Sequence, residues 1–212
     1  MESFVFLPPP RATVSISGIS QRFPVHRIYC VGRNFAEHAK EMGAEAPKGT
    51  PVFFMKPADA VIQSHDIPYP PQTGDLHHEV ELVVALGPDI PEFINAENAL
   101  QAVAKEKRLP WDTAKGFDAS APLSALLPKD SVALSAQTRL SLEVNGVVRQ
   151  QATLGEMIFS VPDILVELSK LFRLKAGDLI FMGTPAGVAA LHKGDTFTAA
   201  LDGVVSFTGS II

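Results

Sequence analysis

The sequence predicts a mixed, β-rich α+β fold, and three observations carry that prediction. Apolar or alternating segments of strand length recur along the chain, punctuated by Gly, Pro and Asn-Gly or Asp-Gly steps. Helical periodicity is confined to a few short stretches. The β-α-β rhythm of a doubly wound parallel sheet is absent.

In chain order, residues 1–24 hold Pro8-Pro9-Pro10 and the alternating run Thr13-Val14-Ser15-Ile16-Ser17. They read as an extended lead-in with one edge strand, ahead of a single domain over 25–212. Arg27 to Val31 is a short apolar strand ending at Gly32. From Gly32 to Gly43 the chain reads as a short helix, with Asn34 suited to the N-cap and Gly43 to the stop. His38 and Glu41, three apart, share a face of it. Such a pair can work as a general base with its orienting carboxylate, although taken alone a surface contact is the simpler reading.

Val52 to Lys56 is a strand whose terminal lysine either enters a cleft or snorkels to the surface. A Pro-rich loop, Pro68 to Asp75, leads into Leu76-His77-His78-Glu79-Val80-Glu81-Leu82-Val83-Val84-Ala85-Leu86-Gly87. That stretch alternates first and then runs apolar, which suits one strand buried on both faces over its second half. Glu79 and Glu81 then share a face. Buried together they repel, so one protonates or a cation sits between them, and a hard divalent ion suits an all-oxygen site. The plain alternative turns both to solvent.

Leu100 to Lys107 reads as an amphipathic helix, and Trp111 to Pro128 has weak signals. Asn145-Gly146 between Arg139–Val144 and Val147–Gln151 is a strong hairpin signal. Pro162 to Phe172 has helical period, with Pro162 at N1. Leu179 to Met182 is a buried strand running into Gly183-Thr184-Pro185-Ala186-Gly187, which lacks the spacing of a phosphate loop. Thr196–Leu201, Asp202-Gly203 and Val204–Ile211 form a second hairpin.

The chain has 212 residues, 46% of them hydrophobic, and a net charge of −5. That charge, with no basic stripe, argues against a nucleic-acid partner. The single Cys30 excludes a disulfide framework. The N-terminus lacks a signal-peptide pattern, and no apolar run reaches the ~18 residues of a membrane span. A cytoplasmic protein with no membrane partner is the expectation.

Several segments match a known pattern in order: Tyr29-Cys30-Val31-Gly32-Arg33-Asn34-Phe35-Ala36-Glu37-His38, Phe54-Met55-Lys56-Pro57, His77-His78-Glu79-Val80-Glu81-Leu82, Pro110-Trp111-Asp112-Thr113-Ala114-Lys115-Gly116-Phe117-Asp118, Met157-Ile158-Phe159-Ser160, and Gly177-Asp178-Leu179-Ile180 through Gly183-Thr184-Pro185. From about residue 27 onward the chain resembles the fumarylacetoacetate hydrolase superfamily, near its small single-domain acylpyruvate hydrolases. The resemblance implies a β-sandwich roll with a short lid helix, usually a homodimer. It implies Mg²⁺ or Mn²⁺ held by three carboxylates, two of them matching Glu79 and Glu81. It makes His38 and Glu41 the water-activating pair, Lys115 the lysine near the reacting carbon, and Thr184 a contact to the substrate carboxylate. Arg33, Lys56 and Gln101 complete the implied substrate-binding set.

One departure stands out. The family strand that carries the third metal carboxylate and an arginine has no counterpart between Leu100 and Gln101. Loss of a core strand should destabilise the fold, so the expectation is that the natural protein carries such a segment there. Without it, Asp112 or Asp118 are the carboxylates left to substitute, with no geometric reason to prefer either.

The function implied is metal-dependent C–C hydrolysis of an acylpyruvate such as fumarylpyruvate, a small 2-oxo acid. Oxaloacetate decarboxylation or isomerisation of a 2-hydroxy-dienedioate at the same kind of site is the alternative. A non-catalytic relative with a broken metal site is a third reading.

Overall fold

The computed structural model describes residues 3–88 and 112–212. The expected Leu100–Lys107 helix and Gln101 lie outside them.

The chain opens on an antiparallel hairpin, β1 (Thr13–Ile16) and β2 (Ile19–Pro24). The expected lead-in with one edge strand is thus a two-stranded element, and it is not peripheral. Val14, 0% exposed, packs with Val25 into a core beneath the next strands.

β3 (Ile28–Gly32) and helix α1 (Ala36–Glu41) follow, then β4 (Val52–Lys56) and the short strands β5 (Val61–Ile62), β6 (Asp66–Ile67) and β7 (Leu76–His77). β8 is Val83–Ala85, helix α2 Asp112–Lys115 and β9 Ala121–Pro122. The hairpin β10 (Arg139–Val144) and β11 (Val147–Thr153) turns at Asn145-Gly146, both at positive φ as the dipeptide predicts. Helix α3 (Val161–Leu171) leads to β12 (Leu179–Phe181), β13 (Ala190–Leu191), β14 (Thr196–Leu201) and β15 (Val205–Ile211).

Two larger sheets organise these elements, in orders β4-β3-β12-β8 and β11-β10-β14-β15-β6. In the first, β3 and β12 run parallel and their side chains split between two cores. Ile28, Cys30, Leu179 and Phe181 face the N-terminal hairpin, while Tyr29, Val31, Ile180 and Met182 face α3. Burial on both faces explains why β3 and β12 read as continuous apolar runs. The second sheet buries Leu140, Leu142 and Val144 on one face, in the alternation of a half-covered strand.

Helix α3 begins one residue earlier than Pro162 at N1 suggests. Ser160 is the N-cap, in a reciprocal capping box with Asp163, and Ile164 and Leu168 are fully buried on the sheet. The segment expected as one strand from Leu76 to Gly87 is broken. β7 pairs with β13, β8 pairs with β12, and residues 78–82 between them are outside any ladder. Among the described residues β8 pairs on one side only, yet both its faces are partly covered: Val83 and Ala85 pack on the core beneath the N-terminal hairpin and Val84 on the core beneath α3. No described helix is long and apolar enough to cross a membrane.

Candidate active site

The break at residues 78–82 places the two carboxylates. Freed from a ladder, this segment takes its bonds from elsewhere. The Val80 N–H donates to Gln150 Oε1 at 3.0 Å, the Leu82 carbonyl accepts from the Met182 N–H at 3.0 Å, and Glu81 Oε2 accepts from the Gly183 N–H at 2.5 Å. Burial, then the charge of Glu79, pushes the Glu81 carboxyl up to about 7. Glu79 is compensated differently, with both its oxygens accepting from Lys115 Nζ at 2.6 Å. Lys115 is the last residue of α2, which follows the undescribed stretch.

Lys56 does not snorkel. Its ammonium donates to the Ser120 carbonyl at 2.7 Å, and burial lowers its pKa. Lys56, Glu79, Glu81, Lys115, His78 and Phe181 share a cavity of ≈ 690 Å³. The size suits a small organic acid. Cys30 lies close enough to feel Glu81, but burial raises its pKa, so it stays a thiol rather than a thiolate ligand.

The remaining expected residues gather around the loop Gly183–Gly187; they are not among the residues lining that cavity and connect to it through Glu81 and Gln150. His38 is 6% exposed, which sets aside the alternative of a surface contact for its imidazole; its Nδ1 lies 3.3 Å from Glu41 Oε2. The Glu41 carboxylate also accepts from the Gly187 N–H at 3.0 and 3.2 Å, which fixes α1 to the loop. Arg33 begins the turn out of β3 at φ 59. Asn34, expected as the N-cap, caps nothing: Phe35 holds that position without a side-chain bond. The fully buried Asn34 amide instead donates to the Met182 and Phe159 carbonyls and accepts from the Phe159 N–H. It thereby joins the ends of β3 and β12 to the start of α3.

The loop needs glycine at both ends. At Gly183 (φ 89) a Cβ would stand 2.9 Å from Asn34 Cβ and from the Val31 carbonyl oxygen. At Gly187 (φ 100) it would stand 2.0 Å from the Arg149 carbonyl oxygen. Between them, Thr184 is 4% exposed and its hydroxyl accepts from Gln150 Nε2 at 2.8 Å. The structure thus joins Glu79, Glu81, Lys56 and Lys115 directly, and ties Thr184, Glu41 and His38 to them through one loop. Gln101 lies outside the described residues.

Gln150 and the structural use of Asn34 escape sequence reasoning. Asn34 carried a signal, but one that pointed to the wrong job. Gln150 carried none, since its inward face depends on a β-bulge.

As a cation site, the pair offers hard carboxylate oxygens, one of them under-compensated by its surroundings. Mg²⁺ characteristically takes one or two carboxylates together with water and substrate oxygens, so the residues present fit such an ion. Among the described residues no third His, Cys, Asp or Glu joins them, and Asp118 is exposed.

Residues 27–105 and 103–212 match the family model of fumarylacetoacetate (FAA) hydrolase, C-terminal. Oxaloacetate tautomerase YcgM of Escherichia coli is 38% identical over 200 residues, covering 85% of this chain and 90% of that protein. The mitochondrial oxaloacetate tautomerase FAHD1 of Rattus norvegicus is 40% identical over 84% of this chain and 88% of its own. Among solved structures, fumarylpyruvate hydrolase from Pseudomonas aeruginosa, in complex with Mn²⁺ and pyruvate, superposes with a TM-score of 0.86 at 37% identity, covering 99% of both chains. A further structure, described as a putative fumarylpyruvate hydrolase from Burkholderia cenocepacia, gives 0.84 at 44% identity, covering 99% and 98%. By fold, by ordered motifs and by these likenesses, the chain belongs to the fumarylacetoacetate hydrolase family.

Proposed function

We propose that this protein enolises a small 2-oxo dicarboxylic acid, interconverting the keto and enol forms of oxaloacetate and decarboxylating it at the same site. The observation that carries this reading is the Glu79–Glu81 pair, with one carboxyl held near neutrality and a lysine ammonium alongside. The tautomerase names of the relatives support it, as does a decarboxylase from Dictyostelium discoideum that is 34% identical over 84% of this chain.

In this reading Glu79 and Glu81 would hold Mg²⁺ or Mn²⁺, which when bound would supply Lewis acidity toward the 2-oxo acid. Thr184 receives a substrate carboxylate. Lys115, with Lys56 lining the same cavity, keeps positive charge beside the oxygen that gains electrons as the carbon loses its proton or its CO₂. His38 takes and returns the proton. The Glu41 contact at Nδ1 favours the tautomer with a bare Nε2, the basic nitrogen a proton transfer needs. Arg33 and Gln101 are assigned to substrate binding, and a homodimer is the working assembly in this proposal.

Hydrolysis of fumarylpyruvate is the second reading, favoured by the superposition on hydrolases. It uses the same groups, with His38 activating a water instead. The test is turnover of keto and enol oxaloacetate and of fumarylpyruvate, with Mg²⁺ or Mn²⁺ and with chelator. Chelator-sensitive turnover of oxaloacetate above that of fumarylpyruvate is the expected result. In His38→Ala, decarboxylation should persist, while hydrolysis should fall by about 10²–10⁴. Faster fumarylpyruvate cleavage would replace the first reading with the second. Turnover of neither substrate would remove both.

A further inference from the structure

Gln150 is buried to 1% exposure on a strand whose neighbouring residues, Val148, Arg149 and Gln151, are exposed. Its inward face comes from a register shift. From the Asn-Gly turn, Val144 faces Val147 and Glu143 faces Val148, but Leu142 then faces Gln150. Arg149 is the extra residue of a β-bulge. In an unbroken register Arg149 would oppose buried Leu142, and Gln150 would face solvent. Bulges of this kind re-aim side chains. The Gly187 backbone is seated directly on the Arg149 carbonyl, so the bulge and the substrate loop are packed as one unit.

Four bonds fix the amide. Nε2 donates to the Pro185 carbonyl and to Thr184 Oγ1, each at 2.8 Å. Oε1 accepts from the Val80 N–H and bonds His78 Nδ1, each at 3.0 Å. A carbonyl only accepts and a backbone N–H only donates, so Pro185 and Val80 settle which end is oxygen. His78 must then carry its proton on Nδ1. Its Nε2 has no partner among the described residues. No described side-chain nitrogen or oxygen is both buried and unpartnered, so this bare nitrogen keeps some exposure, and His78 is one of the residues that line the cavity. On the other arm, Thr184 Oγ1 is already an acceptor, and no described group receives its own proton.

We propose that Gln150 is a positioning residue that dictates proton placement both on the carboxylate-bearing segment and on the loop that carries Thr184. It leaves His78 Nε2 as a bare acceptor beside Glu79, and the Thr184 hydroxyl as a donor for an anionic oxygen of the substrate. It also sets the distance between the carboxylate-bearing segment 78–82 and the loop that carries Thr184. This rests on the reading of Thr184 as a carboxylate contact, given above.

The test uses the full chain with oxaloacetate as substrate and Gln150→Met, which keeps the side-chain length but cannot bond. KM should rise at least about tenfold with a smaller change in kcat, because the lost bonds orient ground-state and transition-state binding together. Thr184→Val should raise KM by a similar factor. The double variant should be no worse than the poorer single one, since Gln150 positions the same hydroxyl that Thr184→Val removes. Multiplying effects in the double variant, or a KM within twofold of wild type in Gln150→Met, would overturn the proposal. A normal KM in Thr184→Val would instead overturn the reading on which it rests. Should Gln150→Met fail to fold, the ¹⁵N spectrum of wild-type His78, assigned with His78→Asn, decides alone. The Nδ1–H tautomer is the expected result; the Nε2–H tautomer would sink the proposal.

Discussion

Two enclosed carboxylates stand at opposite ends of β12, and the chain treats them in opposite ways. Asp178 precedes the strand and is fully buried. It accepts from the Lys175 N–H at 2.8 Å and bonds His26 Nδ1 at 2.7 Å, so its charge is met by donors on both oxygens. Glu81 meets the other end through the Gly183 N–H, with Glu79 as a like-charged neighbour. Burial alone therefore does not mark a carboxylate as a candidate for function. What differs is whether the surroundings finish the job: Asp178 is a completed bracket, and Glu81 is left needing a cation or a proton.

The widest separation between the two should appear in activity. Glu81→Gln should lower metal-dependent turnover by at least about 100-fold and leave metal-free thermal stability unchanged or raised, read by kinetics and melting without metal. Asp178→Ala should do the reverse. It strands the Lys175 N–H and loosens the start of β12, costing about 2–4 kcal/mol in denaturant unfolding, while folded protein turns over normally. Equal activity losses in the two variants would erase the distinction.

The pH response sharpens it further. The Glu81 carboxyl is raised from 4.5 to about 7 in the folded chain. Its contribution to stability is fully present below about pH 4.5 and is lost as pH rises through about 7. Chelated protein should therefore melt at falling temperature across that window, and the slope should vanish in Glu81→Gln. Added Mn²⁺, which binds the ionised form, should stabilise increasingly as pH rises through the same window. The smallest effect belongs to a position outside the comparison. Ser160→Ala removes the N-cap of α3 and should cost about 1 kcal/mol in unfolding without touching turnover.

What the sequence revealed follows from what sequence patterns encode. The Asn145-Gly146 hairpin was legible from residue type and spacing, because it is a local statement; spacing only raised Glu79 with Glu81 and His38 with Glu41 as candidates beside plainer surface readings, and the resemblance selected them. The burial of His38 was not local. It depends on the Gly187 N–H holding Glu41 from far along the chain. Asn34 looked like a cap because caps and buried amide brackets use the same residue type. The strand expected across Leu76–Gly87 failed at residues 78–82, where side chains and distant backbone replace the ladder. Gln150 was hidden for the sharpest reason: counting two-residue periods back from the turn sends Arg149 inward, and only the bulge reverses that.

The Asn34 bracket has a consequence for how the molecule comes into being. Its amide closes a contact 148 residues apart in sequence, and β3 takes β12 as its parallel neighbour across a similar span. Contacts of that separation are the slow ones in folding, since loop-closure entropy is lost before any packing rewards it. During synthesis β3 emerges early and waits for β12, with its apolar faces open to misassociation. Nothing resembling the loop Gly183–Gly187 can set until most of the last quarter of the chain has left the ribosome. Ribosome-bound chains stopped before residue 179 should be protease-sensitive around β3 and indifferent to Mn²⁺.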